Sequence, residues 1–228
     1  KALESVCTTT KLSVPKLLEK CGAIASTHDY HFNQFLREHF PEGTAFNLSE
    51  IDCVFNDIEN LPVANVAAFS IDDTTTTEID DAFSVTPLAL GSFRIGIHIA
   101  VPALGITPGS LLDKAAAKRL STVYLPGRKI TMLPEKTIHF YTLSETRLCP
   151  AVSLYLDVAD DFTVTTCQSR LEKIKIVANL RHDTLEQQFN EDTLRKNLTN
   201  YSFAHELYLL WNFSRKMEIL RGKEYDIN

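Results

Sequence analysis

Residues 69–85 read Phe-Ser-Ile-Asp-Asp-Thr-Thr-Thr-Thr-Glu-Ile-Asp-Asp-Ala-Phe-Ser-Val, which places five carboxylates within ten positions between two short apolar runs. Clustered carboxylates with no lysine or arginine among them repel one another, so a fold that anchors both flanks must supply a compensating positive charge. A hard divalent cation such as Mg²⁺, which takes oxygen ligands, is the compensation this composition points to. An EF-hand loop is excluded: counted from Asp72, the sixth position is Thr77 instead of glycine and the twelfth is Phe83 instead of glutamate. On an extended strand Glu78 and Asp80 share one face while Asp81 points to the other. Convergence of Asp72, Glu78, Asp80 and Asp81 therefore requires residues 73–81 to form a bent loop that returns to the strand carrying Asp72. The threonine run suits such a loop, its hydroxyls bonding local backbone groups. Asp73, beside Asp72 and facing away, is left outside the group.

With 44% hydrophobic and 23% charged residues over 228 positions, the chain has the composition of a globular protein. No apolar run is long enough for a membrane helix, and no basic segment followed by an apolar stretch marks a secretory signal. Cys7, Cys21, Cys53, Cys149 and Cys167 are odd in number and scattered, with no CxxC pair. That argues against a zinc ribbon or a disulfide framework and for a reducing, cytoplasmic setting. The formal net charge of −6 owes five charges to the acidic cluster. It therefore weighs little against a nucleic-acid substrate, though it does argue against a broad DNA-coating surface.

The periodicity predicts an α+β organisation in two parts. Residues 1–64 read as a helical domain and linker. Ser13 caps a short helix with Pro15 in its first turn and Gly22 as terminator, and Phe32, Phe35, Leu36 and Phe40 mark a second helix that stops at Pro41. Residues 41–64 read as the linker itself. From Val66 the period shortens to that of strands: Val66–Ile71, Ala82–Val85 and Phe93–Val101, with a turn at Gly91-Ser92. Ser110 with Asp113 three positions on opens a helix, and Tyr124-Leu125-Pro126-Gly127 reads as a loop. Two antiparallel strands follow, Ser153–Val158 and Phe162–Thr166, then a third over Leu171–Val177. A last helix presents Phe203, Leu207, Leu210, Ser214 and Met217 on one face and ends at Gly222. His98, single in an apolar strand, reads as a hydrogen-bonded core residue, and His28, His31 and His39 as a solvated helix face.

Ser-Ile-Asp-Asp-(x)₅-Ile-Asp-Asp-Ala-Phe resembles the signature of the ribonuclease II (RNB) family of 3′→5′ exoribonucleases. Gly96-Ile-His98-Ile-Ala, Gly109-Ser-Leu-Leu-Asp113, Ser-Thr-Val-Tyr124-Leu-Pro-Gly and Met132-Leu-Pro-Glu135 continue the likeness in order across residues 66–158. The resemblance implies a winged-helix-like N-terminal module over 1–64 and, over 65–228, the first part of a mixed-sheet catalytic domain with helices. It implies that Asp72, Glu78, Asp80 and Asp81 bind Mg²⁺, with Asp80 and Asp81 also in the catalytic machinery. The substrate would be single-stranded RNA, cut to nucleoside 5′-monophosphates, and Tyr124 would stack on its terminal nucleotides. No membrane or DNA partner is expected. Three departures stand out. Glu78 replaces the aspartate many relatives carry, Ala100-Val-Pro replaces the usual Ala-Asp-Val, and the later half of the family's catalytic domain, with its phosphate-binding arginine, second aromatic and OB fold, is missing. The chain is therefore expected to be the N-terminal piece of such an enzyme, inactive alone. The competing reading is a non-catalytic RNA-binding or scaffold protein that keeps the fold.

Overall fold

The computed structural model describes residues 2–46, 58–196 and 199–222. Its contacts divide the chain into two compact units, Lys1–Ser49 and Glu50–Asn228. The first unit contains three helices: α1 (Ala2–Thr10), α2 (Val14–Lys20) and α3 (Thr27–His39). Ser26 caps α3, its hydroxyl accepting from the Asp29 N–H at 2.9 Å, so the helix starts at Thr27, one residue before the expected start at His28. Ser13 occupies the cap position of α2 without a side-chain bond, while Pro15 sits in the first turn as expected. His28, His31 and His39 lie exposed on α3. Of the segment expected to be a linker, residues 47–57 lie outside the described residues.

The second unit is a mixed α+β structure around a closed five-stranded barrel, with strand order β1-β2-β3-β6-β7. In chain order it comprises β1 (Val63–Asp72), β2 (Asp81–Pro87), β3 (Phe93–Ala100), α4 (Leu111–Arg119), β4 (Val123–Leu125), β5 (Arg128–Ile130), α5 (Glu135–Tyr141), β6 (Leu148–Val158), β7 (Val164–Arg181), α6 (His182–Leu185), α7 (Glu191–Arg195) and α8 (Ala204–Leu220). Neighbours pair antiparallel except β1 with β7, whose parallel ladder closes the ring. The separately expected strands Phe162–Thr166 and Leu171–Val177 are instead parts of one 18-residue strand, β7. The polar stretch between them breaks the side-chain pattern, yet its backbone stays laddered to β6 from Val164 to Lys175. Phe162 itself lies in the turn, at φ 64°.

Directly paired residues share a face of the sheet. One such row is Ser84, Gly96 and Tyr155, and the next is Ala82, His98 and Ser153. All six are buried, and small side chains dominate because five strands enclose little space. The opposite face carries Phe93, Ile95 and Val158, which pack with Leu209, Leu210 and Phe213 of α8. The small, polar row therefore lines the barrel interior, and α8 covers part of the outside. The packed face of α8 includes Phe213, whereas Ser214, expected on that face, is exposed. Phe203, just before the helix, stacks its ring 4.6 Å from that of Phe69.

His98 is fully buried, with Nε2 2.9 Å from Ser84 Oγ and Nδ1 2.8 Å from Ser153 Oγ. Both ring nitrogens are thus occupied by hydroxyls that can donate or accept, so a neutral imidazole is satisfied in either tautomer. Tyr155 stands edge-on to the same ring and donates to buried Glu172 at 2.5 Å. Burial and that carboxylate push the phenol up to about 12. A Cβ on Gly96 would press against Ser84 Oγ and lie 2.6 Å from His98 Nε2, so this position excludes a side chain.

Two outcomes follow for stability. Gly96→Ala breaks the Ser84–His98 contact and lowers unfolding free energy by roughly 1–3 kcal/mol in a urea titration. Burial lowers His98 from 6.5 to about 4, so as pH falls the unfolded chain takes up this proton first. The contribution is whole above about pH 6.5 and is lost towards pH 4, roughly 3 kcal/mol in all. Urea unfolding between pH 7 and 4.5 should show that slope, and His98→Asn should flatten it.

Candidate active site

The strands β1, β3 and β7 end, and β2 and β6 begin, at the same rim of the barrel. Asp72 is the last residue of β1 and Asp81 the first of β2, so residues 73–80 form the bent loop that convergence of the acids requires. What holds the loop is Ile79. Its side chain is 4% exposed and packs with Ala68, Ala82, Leu143, Ile174 and Ile176 at the end of the barrel core. Its N–H donates to Thr142 Oγ1 at 2.6 Å, and its carbonyl accepts from the Leu143 N–H at 2.9 Å. The next carbonyl, of Asp80, accepts from the Ala100 N–H at 2.8 Å. A buried apolar residue between Glu78 and Asp80 thus forces both neighbours outward at the rim.

The other end of the loop is tied by β7. Arg181, the register partner of Asp72, donates from Nη1 to the carbonyls of Asp73 at 2.9 Å and Thr76 at 3.2 Å. Asp72 is oriented from below: Asn179 Nδ2 donates to Ser70 Oγ at 2.9 Å, and Ser70 Oγ donates to Asp72 Oδ2 at 2.6 Å. The threonines act differently from expectation. Thr77 Oγ1 accepts from Lys129 Nζ at 3.3 Å, and Thr74 hydrogen-bonds Asp183 and holds that carboxyl below its usual value. The hydroxyls reach other elements because the surrounding backbone groups are already claimed by Arg181 and by the Thr76 N–H to Asp73 carbonyl bond.

Electrostatic strain is concentrated in two residues. Asp80 is raised above its ordinary value by partial burial first, then by Glu78, Asp81 and Asp72. Asp81 is raised by partial burial and then by Asp72. The four expected acids are therefore close enough to interact, and the charge of Asp80 and Asp81 is disfavoured by their neighbours. The side chain of Asp73, as expected, is exposed, and only its carbonyl takes part. Glu78 is drawn to Lys129, with Nζ to Oε1 at 2.5 Å. As donors, four carboxylates fit a hard cation such as Mg²⁺. The arrangement is open: among the described residues no three acidic, histidine or cysteine side chains are already gathered as a metal centre.

Beside Glu78 and Asp80 lies a cleft of about 280 Å³, lined also by Ile99, Ala100, Met132 and Ile138. Tyr124, expected in a loop, lies instead on β4 of a two-stranded hairpin, opposite Lys129 of β5. The Pro126-Gly127 turn, with Gly127 at φ 70°, closes that hairpin. Tyr124 is 73% exposed, so its ring is open to a stacking partner.

The sequence singles out the acids and Tyr124 as candidates but not the residues that place them: Ser70, Lys129, Thr142, Asn179 and Arg181. Ser70 alone carried a signal, since it shares a strand face with Asp72 two positions on.

Residues 56–225 match the RNB domain. Exoribonuclease 2 of Vibrio vulnificus is 30% identical over 169 residues, which cover 73% of this chain and 26% of that enzyme. Among solved structures, RNase R of Mycoplasma genitalium in complex with ribose-methylated single-stranded RNA aligns with a TM-score of 0.62 at 19% identity. It covers 76% of this chain and 27% of that one. Yeast Ssd1, a pseudonuclease, aligns with a TM-score of 0.54 at 17% identity, covering 60% of this chain and 18% of its own. The chain spans about a quarter of the length of these ribonucleases. Among the described residues no helix is long and apolar enough to cross a membrane.

The acidic rim generates its own stability test. Because Asp80 is raised in the folded state, ionising it opposes folding, and the cost appears as pH climbs through its ordinary and then its raised value. In chelator at pH 7, Asp80→Asn should melt higher than the wild type. Added Mg²⁺ or Mn²⁺ should raise the wild-type melting temperature and leave the variant's nearly unmoved.

Proposed function

The chain belongs to the RNB family of ribonucleases, and on that premise we propose that it is part of a Mg²⁺-dependent exoribonuclease that shortens single-stranded RNA from its 3′ end to nucleoside 5′-monophosphates. One observation carries the reading: Asp72, Glu78, Asp80 and Asp81 lie at one barrel rim, where burial and the neighbouring carboxylates oppose the ionisation of Asp80 and Asp81, as a set of ligands kept for a cation would. The four carboxylates would hold divalent metal, which supplies an activated water and neutralises charge on the departing 3′ oxygen.

The chain's own residues supply position. Asp72 is aimed through Ser70 and Asn179, and the bound backbone of Ile79 and Asp80 keeps the loop from swinging away. Both effects hold the acids still while a phosphate is brought to them. The cleft beside Glu78 and Asp80 offers apolar walls for the last nucleoside, and the exposed Tyr124 ring offers a stacking surface that any base can use. Asp80 is the acid best suited to hold the attacking group in line, since partial burial and three carboxylate neighbours all bear on it.

A second reading has specific support. The fold is shared with a pseudonuclease, so the barrel by itself does not decide between cleavage and RNA binding without turnover. The acids favour cleavage, because a binding-only surface gains nothing from carboxylates that repel RNA phosphates.

The test uses the full-length protein with a 3′-labelled single-stranded RNA and Mg²⁺. Labelled mononucleotide should be released, and Asp80→Asn should slow release at least ~100-fold while RNA is still bound. Tyr124→Ala should weaken RNA binding by about 1–3 kcal/mol. RNA bound without cleavage in Mg²⁺ or Mn²⁺ would establish the binding-only reading instead.

A further inference from the structure

Lys129 stands directly opposite Tyr124 in the β4–β5 hairpin. Its ammonium is bonded to two consecutive residues of the acidic loop, Glu78 Oε1 at 2.5 Å and Thr77 Oγ1 at 3.3 Å. The hairpin is a separate two-stranded sheet whose strands are not laddered to the barrel. Its ties include two at its base, Arg119 Nη1 to the Thr131 carbonyl at 2.7 Å and the Met132 N–H to Thr122 Oγ1 at 3.2 Å, the buried side chain of Ile130, and the bonds of Lys129 across to the acids. Lys129 therefore makes a direct side-chain connection between the strands carrying the aromatic and the carboxylates, one that backbone pairing does not make.

The far end of that connection is rigid. Glu78 precedes Ile79, whose side chain is buried and whose N–H and carbonyl are both bonded. The glutamate side chain is 16% exposed and the lysine side chain 38%, so the pair is partly shielded from solvent. Glutamate is one methylene longer than aspartate at this position, which extends its reach toward the hairpin. The carboxylate of Glu78 is engaged by that bond.

We propose that Lys129 is a positioning residue that sets the Tyr124 hairpin against the acidic loop and competes with a divalent cation for Glu78. The idea rests on the reading of the four acids as cation ligands. Without metal, the ammonium is the counter-charge for Glu78 and Tyr124 is held beside the loop. When a cation recruits Glu78, the ammonium is released on the same hairpin face as the tyrosine, where an RNA phosphate is its natural next partner. The hairpin thus senses whether the acids are loaded.

The experiment compares wild type, Lys129→Met and Lys129→Arg in the full-length protein. Mn²⁺ binding by calorimetry is read beside amide hydrogen exchange of residues 123–130. Lys129→Met removes the competitor, so Mn²⁺ should bind about threefold tighter, and the hairpin should exchange faster without metal. Mn²⁺ should speed hairpin exchange in the wild type and leave it unchanged in Lys129→Met. Lys129→Arg, which can re-form the ion pair, should restore wild-type affinity and protection. A merely structural lysine would loosen the hairpin and leave Mn²⁺ affinity unchanged or weaker. That result would overturn the proposal, as would metal-insensitive exchange in the wild type or no Mn²⁺ binding to either protein. These readouts need no RNA turnover. Altered Mn²⁺ affinity without RNA cleavage would leave the latch standing and remove the nuclease reading, and the reverse pattern would do the opposite.

Discussion

The burial of Ile79 is the constraint on which the site depends. An apolar side chain set between two acids has one low-energy place, the end of the barrel core, and taking that place turns its neighbours toward solvent. Burial alone would leave the peptide groups of Ile79 desolvated, at a cost of about 1–3 kcal/mol for each unmet bond. Thr142 and Leu143 meet them, which is why the segment after α5 must return to the rim. The acidic loop is thereby as well placed as a strand while its side chains stay accessible.

The barrel beneath supplies the stiffness. Five strands enclose little volume, so alanine, serine and glycine line much of the interior; His98, Tyr155 and Glu172 form a hydrogen-bonded network there, and Leu143, Ile174 and Ile176 fill the end under the acidic rim. A second apolar cluster lies on the outer face, where α8 covers Phe93, Ile95 and Val158. The rim inherits fixed positions from this ring. Asp72 and Arg181 end one ladder and Asp81 and Ile99 another of the same barrel, so each pair's spacing is set by register and not by loop conformation.

Charge then works against that stiffness. Asp80 and Asp81 are held where partial burial and neighbouring carboxylates oppose their ionisation, while Glu78 finds an internal counter-charge in Lys129. A fold that keeps such a rim retains tension that the proposed cation would relieve. This is the pattern expected where local cost serves a site, and it separates the acids from an ordinary solvated turn, in which nothing would hold them together.

Much of this was legible in the residues themselves. The type and spacing of Asp72, Glu78, Asp80 and Asp81 demand a returning loop, because period-two geometry cannot otherwise bring them together, and the loop is there. Ser110 capping α4 and the hydrogen-bonded His98 were equally readable, since each depends on local chemistry or on the cost of a lone buried polar group. Other features were not local. The unbroken β7 is held by its ladder to β6, which side-chain polarity does not record. The Tyr124 hairpin hides behind a turn that also reads as a loop. Lys129, Thr142, Asn179 and Arg181 lie between 51 and 109 residues from the loop groups or the serine they bond. Composition and short-range period therefore determined which acidic groups the loop would bring to the rim. Barrel closure decided which distant side chains would hold them, because only a completed ring brings those residues within hydrogen-bonding reach.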